Sequence, residues 1–136
     1  MEMLDQSVPS ATELGKKIRE GDICPVQLAH YTLRQVAEYS DQNIFITVTV
    51  ERAMREARAA KSRIEAGQPA SLLDGVPIAW KDNIDVAGAP TTVGSLLFKK
   101  SNIAATAPVA VRNVAAGGLC PLYTSPIPRN PRADRL

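Results

Sequence analysis

LLDGVPIAWKDNIDVAGAPTTVGS, residues 72–95, sets a lysine at the end of an apolar run and follows it with an Asp-Asn turn. As a strand, VPIAW turns Val76, Ile78 and Trp80 to one face and Pro77, Ala79 and Lys81 to the other. Lys81 therefore shares its face with small residues, which leaves room for its side chain to cross toward a pocket. Desolvation there favours the neutral amine, and a neutral amine can take a proton from a serine hydroxyl. Asp82 works against this by favouring the charged lysine. On spacing alone the alternative is a strand-ending lysine whose ammonium simply reaches water.

The flanking sequence supplies helices. Ser10 followed by Glu13 is a capping-box pattern, and Gly21 is the matching stop. PVQLAHYTLRQVAEYS reads as a second helix with Pro25 in its first turn and an apolar stripe of Leu28, Leu33, Val36 and Ala37. The single histidine, His30, lies off that stripe and has no catalytic companion. NIFITVTV, residues 43–50, is dense in β-branched residues and reads as a strand. In the next helix, 51–66, Ala53, Ala57, Ala60 and Ile64 recur at helical spacing, Glu51 and Arg55 form a favourable pair, and the charged residues read as a solvated face. A last helix begins with Thr106 as its cap and Pro108 in its first turn, and stops near Gly117.

Beyond Gly118 the pattern breaks. Four of the ten prolines fall between Pro121 and Pro131, so residues 119–136 are expected to be a poorly ordered tail behind a domain of residues 1–118. Bulk properties exclude several partner classes. The 136 residues carry 16 basic and 14 acidic side chains without a basic block, and 4% aromatics, so neither a nucleic acid nor a membrane is an expected partner. Cys24 and Cys120 form no metal pattern and fit a reducing cytoplasm, and the acidic opening MEMLDQSVPS is unlike a secretory leader.

The stretch 72–95 resembles the amidase signature family around its catalytic lysine: a Gly-Val-Pro-Ile lead, Lys-Asp-Asn, then Thr-Thr-x-Gly-Ser. The resemblance extends in organisation over residues 10–117. It implies an α/β architecture, the N-terminal fragment of the amidase signature fold, with helices packed on a partial mixed β-sheet. By this resemblance Lys81 is the base of a Ser-cis-Ser-Lys triad acting on a small-molecule amide, and no metal or organic cofactor is required. Asp82 and Asn83 become turn and lysine-positioning residues, with Thr91, Thr92, Gly94 and Ser95 supporting the site from a loop. The family's two serines sit in and after a Gly/Ser-rich loop that residues 1–136 do not contain. Ser95, Ser101 and Ser125 lack its surroundings.

PRNPRADRL resembles the segment just ahead of that loop, whereas a strand expected after Gly118 is not evident, a combination that points to internal deletion and truncation. The chain is then inactive alone. The alternative from another class is a non-catalytic interaction protein or complementing fragment, homo-oligomeric or bound to a partner through an exposed sheet edge. The nucleotide sequence beyond the Leu136 codon, read in three frames, is expected to encode the Gly/Ser-rich loop; unrelated coding or regulatory sequence there would remove the support for truncation.

Overall fold

A computed structural model describes residues 9–98, 103 and 105–125. Helix α1 (Ala11–Glu20) starts at the expected capping box: Glu13 N donates to Ser10 Oγ at 3.2 Å and Ser10 N to Glu13 Oε2 at 2.7 Å. These bonds hold the Glu13 carboxyl below its ordinary range. Gly21 closes the helix with φ 85°, in the left-handed region. Gly15 faces the following layer so closely that a Cβ there would lie 2.2 Å from Leu72 O. Arg19 Nη1 also donates to that carbonyl, which fixes α1 to the turn before the lysine strand.

Helix α2 (Pro25–Glu38) has Pro25 in its first turn and buries Ala29 and Val36, with Leu28 and Leu33 half-buried. Ala37, placed on the stripe by sequence, is exposed, as is His30. Strand β1 is only Thr47–Val48, much shorter than the β-branched run suggested, because residues 40–42 form a 3₁₀ turn and helix α3 (Val50–Glu65) begins directly afterwards. The buried stripe of α3 contains Ala53, Ala57 and Ala60 as expected, together with Met54, while Ile64 is half-buried. Small residues on this face let α3 lie close to α2 and to the sheet. Its expected Glu51–Arg55 pair is replaced by Arg52–Glu56, at 2.8 Å.

The sheet is mixed, with order β1-β3-β2. Strand β2 (Pro77–Lys81) runs parallel to β3 (Cys120–Ser125), and β1 is antiparallel to β3 on the other side. This corrects two readings: residues 120–125 are not part of a poorly ordered tail but the central strand, and the strand expected after Gly118 is present, which removes that ground for an internal deletion. Cys120 and Leu122 are fully buried in the main core with Ala29, Ala53, Met54 and Ala57. Pro121 is accommodated because the pairing slips between Ile78 and Ala79, giving an irregularity where a missing N–H is tolerated. Residues 126–136, the rest of the expected tail, lie outside the described residues. Helix α4 (Val109–Ala116) starts two positions later than expected, with Pro108 rather than Thr106 at its cap and no side-chain bond there.

The junctions are locked by one buried carboxylate. Asp74 accepts two bonds from Arg63, Nε at 2.9 Å and Nη2 at 2.6 Å, and one from Ala70 N at 2.8 Å. Arg63 is thus not part of a solvated face, and the Asp74 hydrogen bonds raise its already high pKa. Gly118 has φ +83° and a Cβ there would fall 2.0 Å from Asp74 Oδ1. Its carbonyl accepts Gly75 N at 2.9 Å, and Cys120 N then donates to Val76 O at 2.9 Å, which starts the β2–β3 ladder. Burial pushes the Cys120 thiol up to about 12, with Glu56 and Asp74 adding to the effect, so it is an inert core group.

Asp74→Ala is expected to lower stability by about 2–4 kcal/mol, less than for a fully enclosed pair because Arg63 is partly exposed. Gly118→Ala should cost a similar amount. The double variant should lose less than the sum, because removing the carboxylate removes the clash. Urea denaturation of the four proteins tests this; strict additivity would show that Gly118 is not packed against Asp74.

Candidate active site

Lys81 is the last residue of β2, half-buried, at the C-terminal end of a parallel strand pair. Val76, just ahead of β2, is buried, and the alternation read from sequence holds through β2 only in part. Ala79 is exposed, whereas Trp80 packs onto a second core cluster of Val86, Ala89 and Val111. A turn follows at once, with Ile84 N donating to Lys81 O at 3.0 Å. In register across the sheet, the Cα of Lys81 is paired with that of Ser125 and Trp80 with Thr124.

Asp82 explains the rigidity of the turn. It is completely buried and its carboxylate faces away from a simple pairing with Lys81, toward the 91–95 loop. Oδ1 accepts Thr92 N at 3.1 Å, Oδ2 accepts Gly94 N at 3.1 Å, and Thr92 Oγ1 also donates to Oδ2. The Asp82 carbonyl accepts Val93 N at 3.2 Å. A buried carboxylate is tolerable because each oxygen is hydrogen-bonded. Thr91 Oγ1 repeats the device one turn on, donating to Asp85 Oδ1 at 2.7 Å. From the other side Arg52, on α3, donates to Ala87 O at 3.0 Å.

Asp82, Thr91, Thr92, Gly94 and Ser95 are thus brought together around the turn that follows Lys81. Asn83 is exposed beside them. Ser95 is engaged as a turn former, its Oγ accepting Leu97 N at 3.3 Å. Ser101 lies outside the described residues. Two features had no clear signal in the sequence. Val93 has φ 52°, a left-handed conformation that is unfavourable for a β-branched residue and is imposed by the bonds to Asp82 on both sides. Trp80 Nε1 and Thr124 Oγ1 are buried without a hydrogen-bond partner among the described residues, on the strand pair that ends beside Lys81. Among the described residues no group of acidic, histidine or cysteine side chains is arranged to hold a metal, and no helix is long and apolar enough to cross a membrane.

The profile of the amidase family matches residues 27–128. The chain belongs to the amidase family. It is 37% identical over 87 residues to a subunit of the mitochondrial glutamyl-tRNA(Gln) amidotransferase of Ornithorhynchus anatinus, covering 64% of this chain and 17% of that protein. The corresponding protein of Ixodes scapularis is 34% identical over 107 residues, 79% of this chain and 21% of the relative. The chain thus spans about a fifth or less of these curated relatives. Among solved structures, it is similar to the inhibitor-bound form of a vestigial protein complex bearing on the origins of an s-triazine catabolic enzyme. There the TM-score is 0.81 and the identity 27%, over 89% of this chain and 27% of the other. A bacterial aryl acylamidase of the amidase signature family shares the fold with a TM-score of 0.79 at 23% identity, over 88% of this chain and 25% of that one. The amidase fold is therefore present over most of the described chain.

Removing the Asp82 carboxylate orphans two loop amides. Asp82→Ala should lower stability by about 2–3 kcal/mol and speed hydrogen exchange at Thr92 and Gly94 at least about tenfold. Val93→Gly should instead stabilise by about 0.5–1 kcal/mol, relief of the left-handed strain outweighing glycine's entropy. Unchanged exchange in the first variant would show that the loop is held by other means.

Proposed function

We propose that this chain supplies the proton-accepting lysine of an amide-hydrolysing site. The observation that carries the reading is the placement of Lys81 at the end of β2 directly before Asp82, whose buried carboxylate fixes the supporting loop. The strand sets the lysine backbone and the loop prevents the turn after it from relaxing. In the Ser-cis-Ser-Lys scheme, neutral Lys81 Nζ takes a proton from a bridging serine, which takes one from the nucleophilic serine. The serine oxygen bonds to the amide carbon, and the carbon–nitrogen bond breaks as the nitrogen leaves with a proton. Water then cleaves the acyl-enzyme. Backbone amides stabilise the oxyanion.

Residues 1–136 contain no Gly/Ser-rich loop, so both serines must come from another segment, and the chain by itself is inactive. The scheme uses no metal or organic cofactor, and its substrate is a small-molecule amide. The names of the amidotransferase relatives fit release of an amide nitrogen. Two free cysteines, one buried in the core, suit a reducing cytoplasm.

A fluorophosphonate probe should leave the isolated chain unlabelled. When the chain is combined with a polypeptide bearing the Gly/Ser-rich loop, the probe should label a serine of that partner, and Lys81→Ala should reduce labelling at least about a hundredfold. Labelling of Ser95, Ser101 or Ser125 in the isolated chain, lost in Lys81→Ala, would mean that this chain holds its own nucleophile and would overturn the proposal.

A further inference from the structure

The loop that Asp82 fixes continues into a stretch that shows large apolar side chains to water. Leu96 and Leu97 are each 85% exposed, Ile103 63%, Val93 51% and Phe98 47%. Single exposed leucines are ordinary, but a run of them beside a site marks an interaction surface. The backbone of residues 92–98 is held by specific hydrogen bonds. Ser95 N donates to Thr92 O at 2.8 Å, residues 96–98 form a 3₁₀ turn with Phe98 N on Ser95 O at 3.3 Å, and Ile103 bridges to Pro90. Residues 86–98 carry no charged side chain, so Val93, Leu96, Leu97 and Phe98 offer apolar rather than ionic contacts, with Lys99 and Lys100 between them and Ile103 in the sequence.

The fold comparisons supply a candidate occupant. This chain's architecture recurs at TM-scores of 0.78 and 0.81 inside chains of which it forms only 26% and 27%. There, a body of roughly three times its size belongs to the same chain. We propose that Val93, Leu96, Leu97, Phe98 and Ile103 form the docking surface for the remaining part of an amidase domain, the polypeptide that carries the Gly/Ser-rich loop. This rests on the functional reading above and adds the surface through which the serines are brought to Lys81. A second copy of this chain is the poorer occupant, because it brings another lysine and no loop. Because Asp82 anchors both the turn after Lys81 and the start of the strip, a partner seated on the strip is registered against the lysine.

The test co-expresses the full 136-residue chain with the part of the Ixodes scapularis relative that follows its matched segment. The two should co-purify, with radical footprinting protection at Leu96, Phe98 and Ile103. Leu96→Asp and Ile103→Asp should each weaken the complex at least about tenfold, with the circular dichroism spectrum of the free chain unchanged, since both side chains are already in water. Lys81→Ala should leave complex formation intact and abolish fluorophosphonate labelling. Failure to co-purify, or binding indifferent to both aspartate variants, overturns the docking surface. So does a homodimer, or flotation with phosphatidylcholine vesicles, that Leu96→Asp abolishes. A complex that depends on Leu96 but is never labelled leaves docking standing and removes the amidase chemistry; Lys81-dependent labelling in a complex indifferent to Leu96 and Ile103 does the reverse.

Discussion

The carboxylate of Asp74 is the constraint on which the remaining architecture depends. It is buried at the one place where helix α3, the turn before β2 and the turn before β3 converge, and it accepts hydrogen bonds from Arg63 and Ala70. A buried charge of this kind is weak evidence for net stability, since desolvation offsets much of the attraction. Its contribution is to geometry. Only glycine fits opposite Asp74 Oδ1 at position 118, and the Gly118 carbonyl in turn receives Gly75 N. Two strands distant in sequence thereby begin side by side.

Helix α3 acts as a clamp on the lysine segment. Near its C-terminal end Arg63 holds Asp74 ahead of β2, and near its N-terminal end Arg52 holds the Ala87 carbonyl beyond it. Lys81 and Asp82 lie between these two fixed points. The alanines of the same helix, Ala53, Ala57 and Ala60, are fully buried and permit the close approach that short-range bonds from both arginines require. The polar and apolar faces of one helix thus serve a single purpose, which is to hold the β2 turn at a defined distance from the core.

Much of this was legible in the sequence because it is local. Ser10, Glu13 and Gly21 carry their capping chemistry within one helix, and the alanine spacing of α3 specifies its buried face directly. The lysine segment was recognisable as an ordered string of residues, and its loop residues Thr92 and Gly94 do gather on Asp82. What was not legible depends on long-range partners. Pro121 argued against a strand at 120–125, but the slipped pairing beside Ile78 accommodates it and the strand's burial overrides its local preference. Arg52 and Arg63 looked like members of a solvated face because their acceptors, Ala87 O and Asp74, belong to other elements. Nothing in the spacing around Val93 announces a left-handed backbone, which arises only once both neighbouring residues are bound to Asp82.

The central position of β3 also governs the order in which this sheet can assemble. Among the described residues strands β1 and β2 are not neighbours; each pairs with β3, which follows both in the sequence. As the chain leaves the ribosome, α1, α2 and α3 can form from local signals, while two strand edges remain without their ladder until Cys120–Ser125 emerges. During that interval the nascent chain presents open edges that invite mispairing with other chains. The same placement that fully buries Cys120 and Leu122 in the finished core makes the sheet a late, non-local step of its biogenesis.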